Sequence, residues 1–162
     1  MSSSESTFTF IYLSSKQLRD AGATVQRISQ IYAEVGDIEE ALTSLRHALE
    51  LVPNDVDILC QIIGFCQQVG MKKDAAQYQM ALARHYFDDH QFSEAATTLQ
   101  QLLTFDAKNY EAYDLLGQIY QLEGDFEQAS EVYRHLARLH IDSSIAWNRK
   151  AALQESRMMK TG

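Results

Sequence analysis

Apolar side chains recur three or four positions apart along almost the whole chain. Ile28, Ile31, Tyr32 and Val35 form one such row, and Ala41, Leu45, Ala48, Leu49 and Val52 form the next. Leu115, Leu116, Ile119, Tyr120 and Leu122 repeat the spacing further on. Residues so spaced share one side of an α-helix, with polar residues on the other. The pattern predicts helices near 22–35, 38–51, 55–69, 72–88, 92–105, 109–123, 126–139 and 143–158. No helix is apolar all round, so each must bury its stripe against a neighbour.

The breaks between the stripes are short and specific. Gly36, Gly70 and Gly124 stand where a helix end needs a left-handed residue. Asp37 and Asp125 follow two of them and can cap the next helix. Pro53, the single proline, stops one helix, and Asn54-Asp55 opens another. His90-Gln91 takes the place of a glycine turn, and Asp142-Ser143-Ser144 is read as the start of the last helix. Residues 1–7 are polar and serine-rich, the composition of a disordered segment. Phe8 to Asp20 is compatible with an extended arm, a latch in a groove, or a short helix on the first repeat.

Tyr113, Leu116, Gly117, Tyr120, Gly124, Phe126, Ala129 and Tyr133 recur in weaker form, thirty-four residues earlier, as Leu82, Ala83, Tyr86, Phe92, Ala95 and Leu99. A period of this length is the mark of a helical solenoid. The residues resemble tetratricopeptide repeats, most closely over 110–143, then over 76–109 and 22–55, with a partial copy at 56–75. Ile141 stands in place of the proline that closes such a repeat. The resemblance implies an all-α, right-handed α-solenoid of helix hairpins, about eight helices in all. It implies an N-terminal arm (1–21), a repeat array (22–142) and a C-terminal capping helix and tail (143–162). One irregularity stands out. Ala41 to Ala75 and Ala95 to Ala129 are thirty-four apart, but Ala75 to Ala95 is only twenty. Helix 72–88 therefore reads both as the second helix of one hairpin and as the first of the next. The expectation is a continuous superhelix with irregular packing in its middle.

Repeats of this family hold extended or helical peptides in a concave groove lined by the first helix of each pair. Carried onto this chain, the groove positions are Gln26 and Gln30, then Cys60, Gly64 and Gln67, then Met80, Arg84 and Phe87, and finally Asp114, Gln118 and Gln121. Glutamines both donate and accept, which suits recognition of peptide backbone. The lysine–asparagine pairs with which one subtype clamps a C-terminal carboxylate are missing at these positions. Trp147 and Arg149 in the last helix form a secondary interface candidate, against the simpler reading that Trp147 covers the open end of the array.

Composition narrows the function classes. The net charge is −8, which disfavours nucleic acid as a partner. The charge is uneven: residues 131–162 carry six cations and three carboxylates, a balance of +3 that leaves −11 for the rest. Such a basic end suits an acidic partner or a second copy of the chain. Cys60 and Cys66 lie six apart on one predicted helix, hence on different sides of it, and are read as free, small, buried or half-buried residues in a reducing compartment. No stretch approaches the length of a membrane span and no secretion signal is seen, which suggests a cytoplasmic protein or a piece of a larger one. No histidine pair shares a helix face, and no phosphate loop or activated nucleophile is found, so no metal, cofactor or catalysis is expected. The reading is a non-catalytic adaptor that binds protein or peptide. The alternatives are a cytoplasmic chaperone of the type III secretion class and a self-assembling scaffold that forms homo-oligomers.

Overall fold

A computed structural model describes the backbone of residues 3–158 and the side chains of residues 14–145. Seven helices follow one another: α1 (Ser3–Val35), α2 (Ile38–Leu51), α3 (Val56–Gln68), α4 (Lys72–Asp88), α5 (Phe92–Phe105), α6 (Tyr110–Leu122) and α7 (Phe126–Met158). Each packs on its neighbours in sequence order, so the chain is an all-helical solenoid. The predicted helices 126–139 and 143–158 are one helix. The sequence from Leu139 to Ser144 holds neither proline nor glycine, and the capping residues there have no break to cap. The first helix likewise begins at Ser3 and not near residue 22, so the backbone of 8–20 is helical. Gly22 lies inside α1 because a β-carbon there would come within 2.6 Å of Val52 Cγ2.

Four of the connections are built to one plan. Gly36, Gly70, His90 and Gly124 have φ of 90°, 77°, 61° and 78°. The residue after each donates its N–H to a carbonyl five residues back: Asp37 to Tyr32 at 2.9 Å, and Met71 to Cys66, Gln91 to Tyr86 and Asp125 to Tyr120, each at 2.8 Å. These bonds satisfy carbonyls that a helix C-terminus otherwise leaves open. Five residues after each left-handed position stands a buried alanine: Ala41, Ala75, Ala95 and Ala129. An alanine there lets the two helices of a hairpin approach closely. The other two connections are longer, and Asp55 and Asn109 end them by accepting the N–H of Ile58 at 3.0 Å and of Ala112 at 2.9 Å.

Four hairpins are thus made from seven helices, because α4 belongs to two. Ala75 and Tyr78 join the core shared with α2 and α3, and Ala76, Met80 and Ala83 join the core shared with α5, α6 and α7. The twenty-residue spacing from Ala75 to Ala95 is one helix plus one turn. The two halves meet through α4 with no gap at residues 70–92, as the irregular spacing had suggested. Between those two rows of α4 lies Gln79, buried, with its Oε1 unpartnered.

Candidate functional site

A cleft of about 750 Å³ opens beside the shared helix. Lys72, Lys73, Ala76, Gln77, Met80, Ala81 and Arg84 of α4 form one wall, and Phe105, Asp106, Asn109 and Glu111 at the α5–α6 corner form the other. The apolar part of the lining is Ala76, Met80, Ala81 and Phe105; Met80 is buried, while Phe105 is a large hydrophobic residue left 41% exposed. Arg84 forms an ion pair with Glu111 across the cleft, tying α4 to α6. Asn109 Nδ2 donates to Asp106 Oδ2 at 3.0 Å, which fixes the corner. Both charges of the Arg84–Glu111 pair are more than half exposed, so the pair orients side chains more than it stabilises the fold.

The eleven expected groove residues are distributed unevenly. Met80 and Arg84 line this cleft. Asp114 and Gln118 lie further along α6, where Gln118 Nε2 donates to Asp114 Oδ2 at 2.8 Å. Gln121 is exposed and its Oε1 accepts the hydroxyl of Tyr133 at 3.3 Å. Phe87 is half-buried and packs against Phe92, with ring centroids 5.7 Å apart, so it serves the core. Gln26, Gln30, Cys60 and Gln67 sit on α1 and α3 and do not line this cleft; Gln30, Cys60 and Gln67 are exposed and Gln26 is half-buried. Gly64 faces open space. Trp147 and Arg149 belong to α7, but their side chains lie outside the described residues.

Lys72, Lys73, Gln77, Asn109 and Glu111 line the cleft without having been singled out. The signal was present for the lysines, since two adjacent cations are unusual in so acidic a chain. For Asn109 and Glu111 it was not, because only the fold brings the α5–α6 corner opposite α4. Cys60 corrects an expectation: it is exposed, and only Cys66 is buried. Both thiols are pushed above the usual thiol range. Loss of hydration is the main cause for each, followed by Asp57 beside Cys60 and by Asp74 beside Cys66, where Arg46 opposes it.

A second, smaller hollow of about 270 Å³ lies between α6 and α7, lined by Tyr113, Tyr120, Gln128, Glu131, Val132, His135 and Arg138. Tyr113 packs on His135, ring centroids 4.8 Å apart, and Tyr110 stacks on His140 at 4.6 Å. Among the described residues, no group of three or more His, Cys, Asp or Glu is placed to hold a metal ion. Nor is any helix of those residues long and apolar enough to cross a membrane.

A family model of the tetratricopeptide repeat matches residues 23–55 and 110–139. Those two segments are tetratricopeptide repeats. The matched segments are hairpins α1–α2 and α6–α7, the two that do not use the shared helix. Tetratricopeptide sequence is thus plainest where the alternation of hairpins is regular. A curated relative, the BBSome complex member BBS4 of Bos taurus, is 25% identical over 121 residues. That alignment covers 75% of this chain and 20% of the relative, so the chain spans about one fifth of the relative's length. Solved chains of similar fold include MamA (41-end) from Desulfovibrio magneticus RS-1, with 18% identity and a TM-score of 0.42, covering 75% of this chain and 76% of that one. Another is the second TPR of Spaghetti (RPAP3) bound to the HSP90 peptide SRMEEVD, with 13% identity and a TM-score of 0.38, covering 76% and 95%.

Proposed function

We propose that this chain is a non-catalytic protein-interaction scaffold that holds an extended or helical polypeptide segment against α4 and α6. The observation that carries the reading is the 750 Å³ cleft, open to solvent and lined in part by apolar side chains. Solenoids of stacked helix pairs bind through such extended hollows. Met80 and Phe105 supply apolar contact, and Gln77, Arg84 and Asn109 offer N–H donors to peptide carbonyls. In this reading residues 22–142 are the repeat array, 1–21 extend it at one end, and 143–162 close the other.

Selection of a random-dodecapeptide display library on the full chain tests the proposal. Selected peptides should slow amide hydrogen exchange in α4 and α6 and lose at least about tenfold in affinity in the double variant Gln77→Glu/Arg84→Glu. Both positions are exposed, so the variant should keep its helical circular dichroism. Peptides that protect other helices instead, or that bind the double variant equally well, would sink the reading.

A further inference from the structure

We infer that the cleft takes an acidic polypeptide segment, one whose apolar side chain seats on Met80 and Phe105 and whose carboxylates meet Lys72 and Lys73. The inference rests on the groove reading above and names the chemistry of the occupant. Neither lysine has an ion-pair partner among the described residues. Their nearest acid in sequence, Asp74, is already engaged by Arg46 Nη2 at 3.1 Å. On the opposite wall Glu111 is paired by Arg84, while Asp106 accepts a hydrogen bond from the neutral amide of Asn109 and keeps its charge. The lining thus carries three cations against two carboxylates, a balance of +1, in a chain whose net charge is −8.

The apolar half of the argument is Phe105. It is the last residue of α5, it lines the cleft, and two-fifths of its surface stays in water. A large ring and two ammonium groups without ion-pair partners, lining one cleft, suit a segment that combines acidic and apolar residues. A basic occupant would meet Lys72, Lys73 and Arg84 on one wall and only Asp106 as a carboxylate without a cationic partner on the other. The chain's own C-terminal segment is of that wrong sign, since 131–162 is basic. An acidic segment of another polypeptide is complementary on both counts.

The same display library distinguishes the outcomes when the sequences of the selected peptides are read. Wild-type protein should enrich dodecapeptides of net negative charge around an apolar residue. Their affinity should fall with added salt, and at least about tenfold in Lys72→Glu/Lys73→Glu. Glutamate is well tolerated in the first turn of a helix, so that variant should fold. Enrichment of neutral or basic peptides that still lose affinity in Gln77→Glu/Arg84→Glu would overturn the acidic occupant while leaving the groove in place. An acidic peptide indifferent to Lys72→Glu/Lys73→Glu would overturn it too. No enrichment on the wild-type chain would overturn both this inference and the groove reading.

Discussion

One methyl group separates opposite outcomes at two glycines of this chain. A β-carbon on Gly117 would come within 2.6–3.0 Å of three ring atoms of Tyr133, whereas one on Gly64 would meet nothing within 4 Å. Both lie inside helices, where alanine gains roughly 1 kcal/mol over glycine. At Gly64 that gain stands alone, so Gly64→Ala should stabilise the protein by roughly 0.5–1 kcal/mol. At Gly117 the clash costs about 1–3 kcal/mol, which offsets the gain or exceeds it. Gly117→Ala should therefore destabilise by about 1 kcal/mol, and in a Tyr133→Ala background it should become neutral or stabilising. Denaturant titration of the four-member cycle checks this. An equal cost with and without the ring would show that the close approach plays no part. Gly117 and Tyr133 were each legible as repeat positions, but their contact was not. That Gly64 faces open space and Gly117 does not was decided by packing.

At the scale of elements, the recurring unit is the hairpin turn more than the helix. Three of the four turns place glycine at the left-handed position and one places His90 there. A side chain in that conformation pays for the crowding of its β-carbon. His90→Gly should thus raise stability by roughly 0.5–1 kcal/mol, less the loss of its stacking on Phe92 at 5.9 Å. Thermal melting of the variant reads the sign; an unchanged or lower midpoint would mean that the stacking outweighs the strain. The turns, the caps at Asp37, Asp55 and Asp125 and most helix stripes could be read from residue types, because each is a local consequence of neighbouring residues; the row Ile28, Ile31, Tyr32 and Val35 is the exception, since the fold leaves it exposed. The junction near residue 142 could not. Asp, Ser and Ser favour a cap, but a cap forms only where the chain turns, and α7 continues along its axis. Tyr110 holds that stretch by a hydroxyl contact of 2.7 Å with Ser143, a contact between residues thirty-three apart.

Across the whole molecule, burial shifts five acids in one direction. The thiols of Cys60 and Cys66 and the hydroxyls of Tyr86, Tyr113 and Tyr133 all titrate above their usual ranges, with burial the main cause in each. The unfolded chain therefore gives up these protons first as pH rises. Their contribution to stability is fully present below the unfolded values, roughly 8.5 for thiols and about 10 for tyrosines, and is lost as pH climbs through the folded ones. The melting temperature should be flat from neutral pH to about 8.5 and then fall toward about 11. A melting temperature that holds level through that alkaline range would contradict the protective burial of these groups.

The sequence by itself determined the five inner helices, the four turns, the buried alanines and the tetratricopeptide character, because these depend on spacing within one helix or across one turn; it misplaced the start of α1 and broke α7 in two. It also showed that 72–88 answers to two hairpins. The tertiary structure alone decided which faces meet. It set α4 opposite the α5–α6 corner, buried Met80 while leaving Phe105 in water, and paired Arg84 with Glu111. The physical reason is that periodicity marks which side of a helix is apolar. The direction in which successive helices stack, and so which polar residues are left to line a hollow, is set by contacts between side chains far apart in the chain.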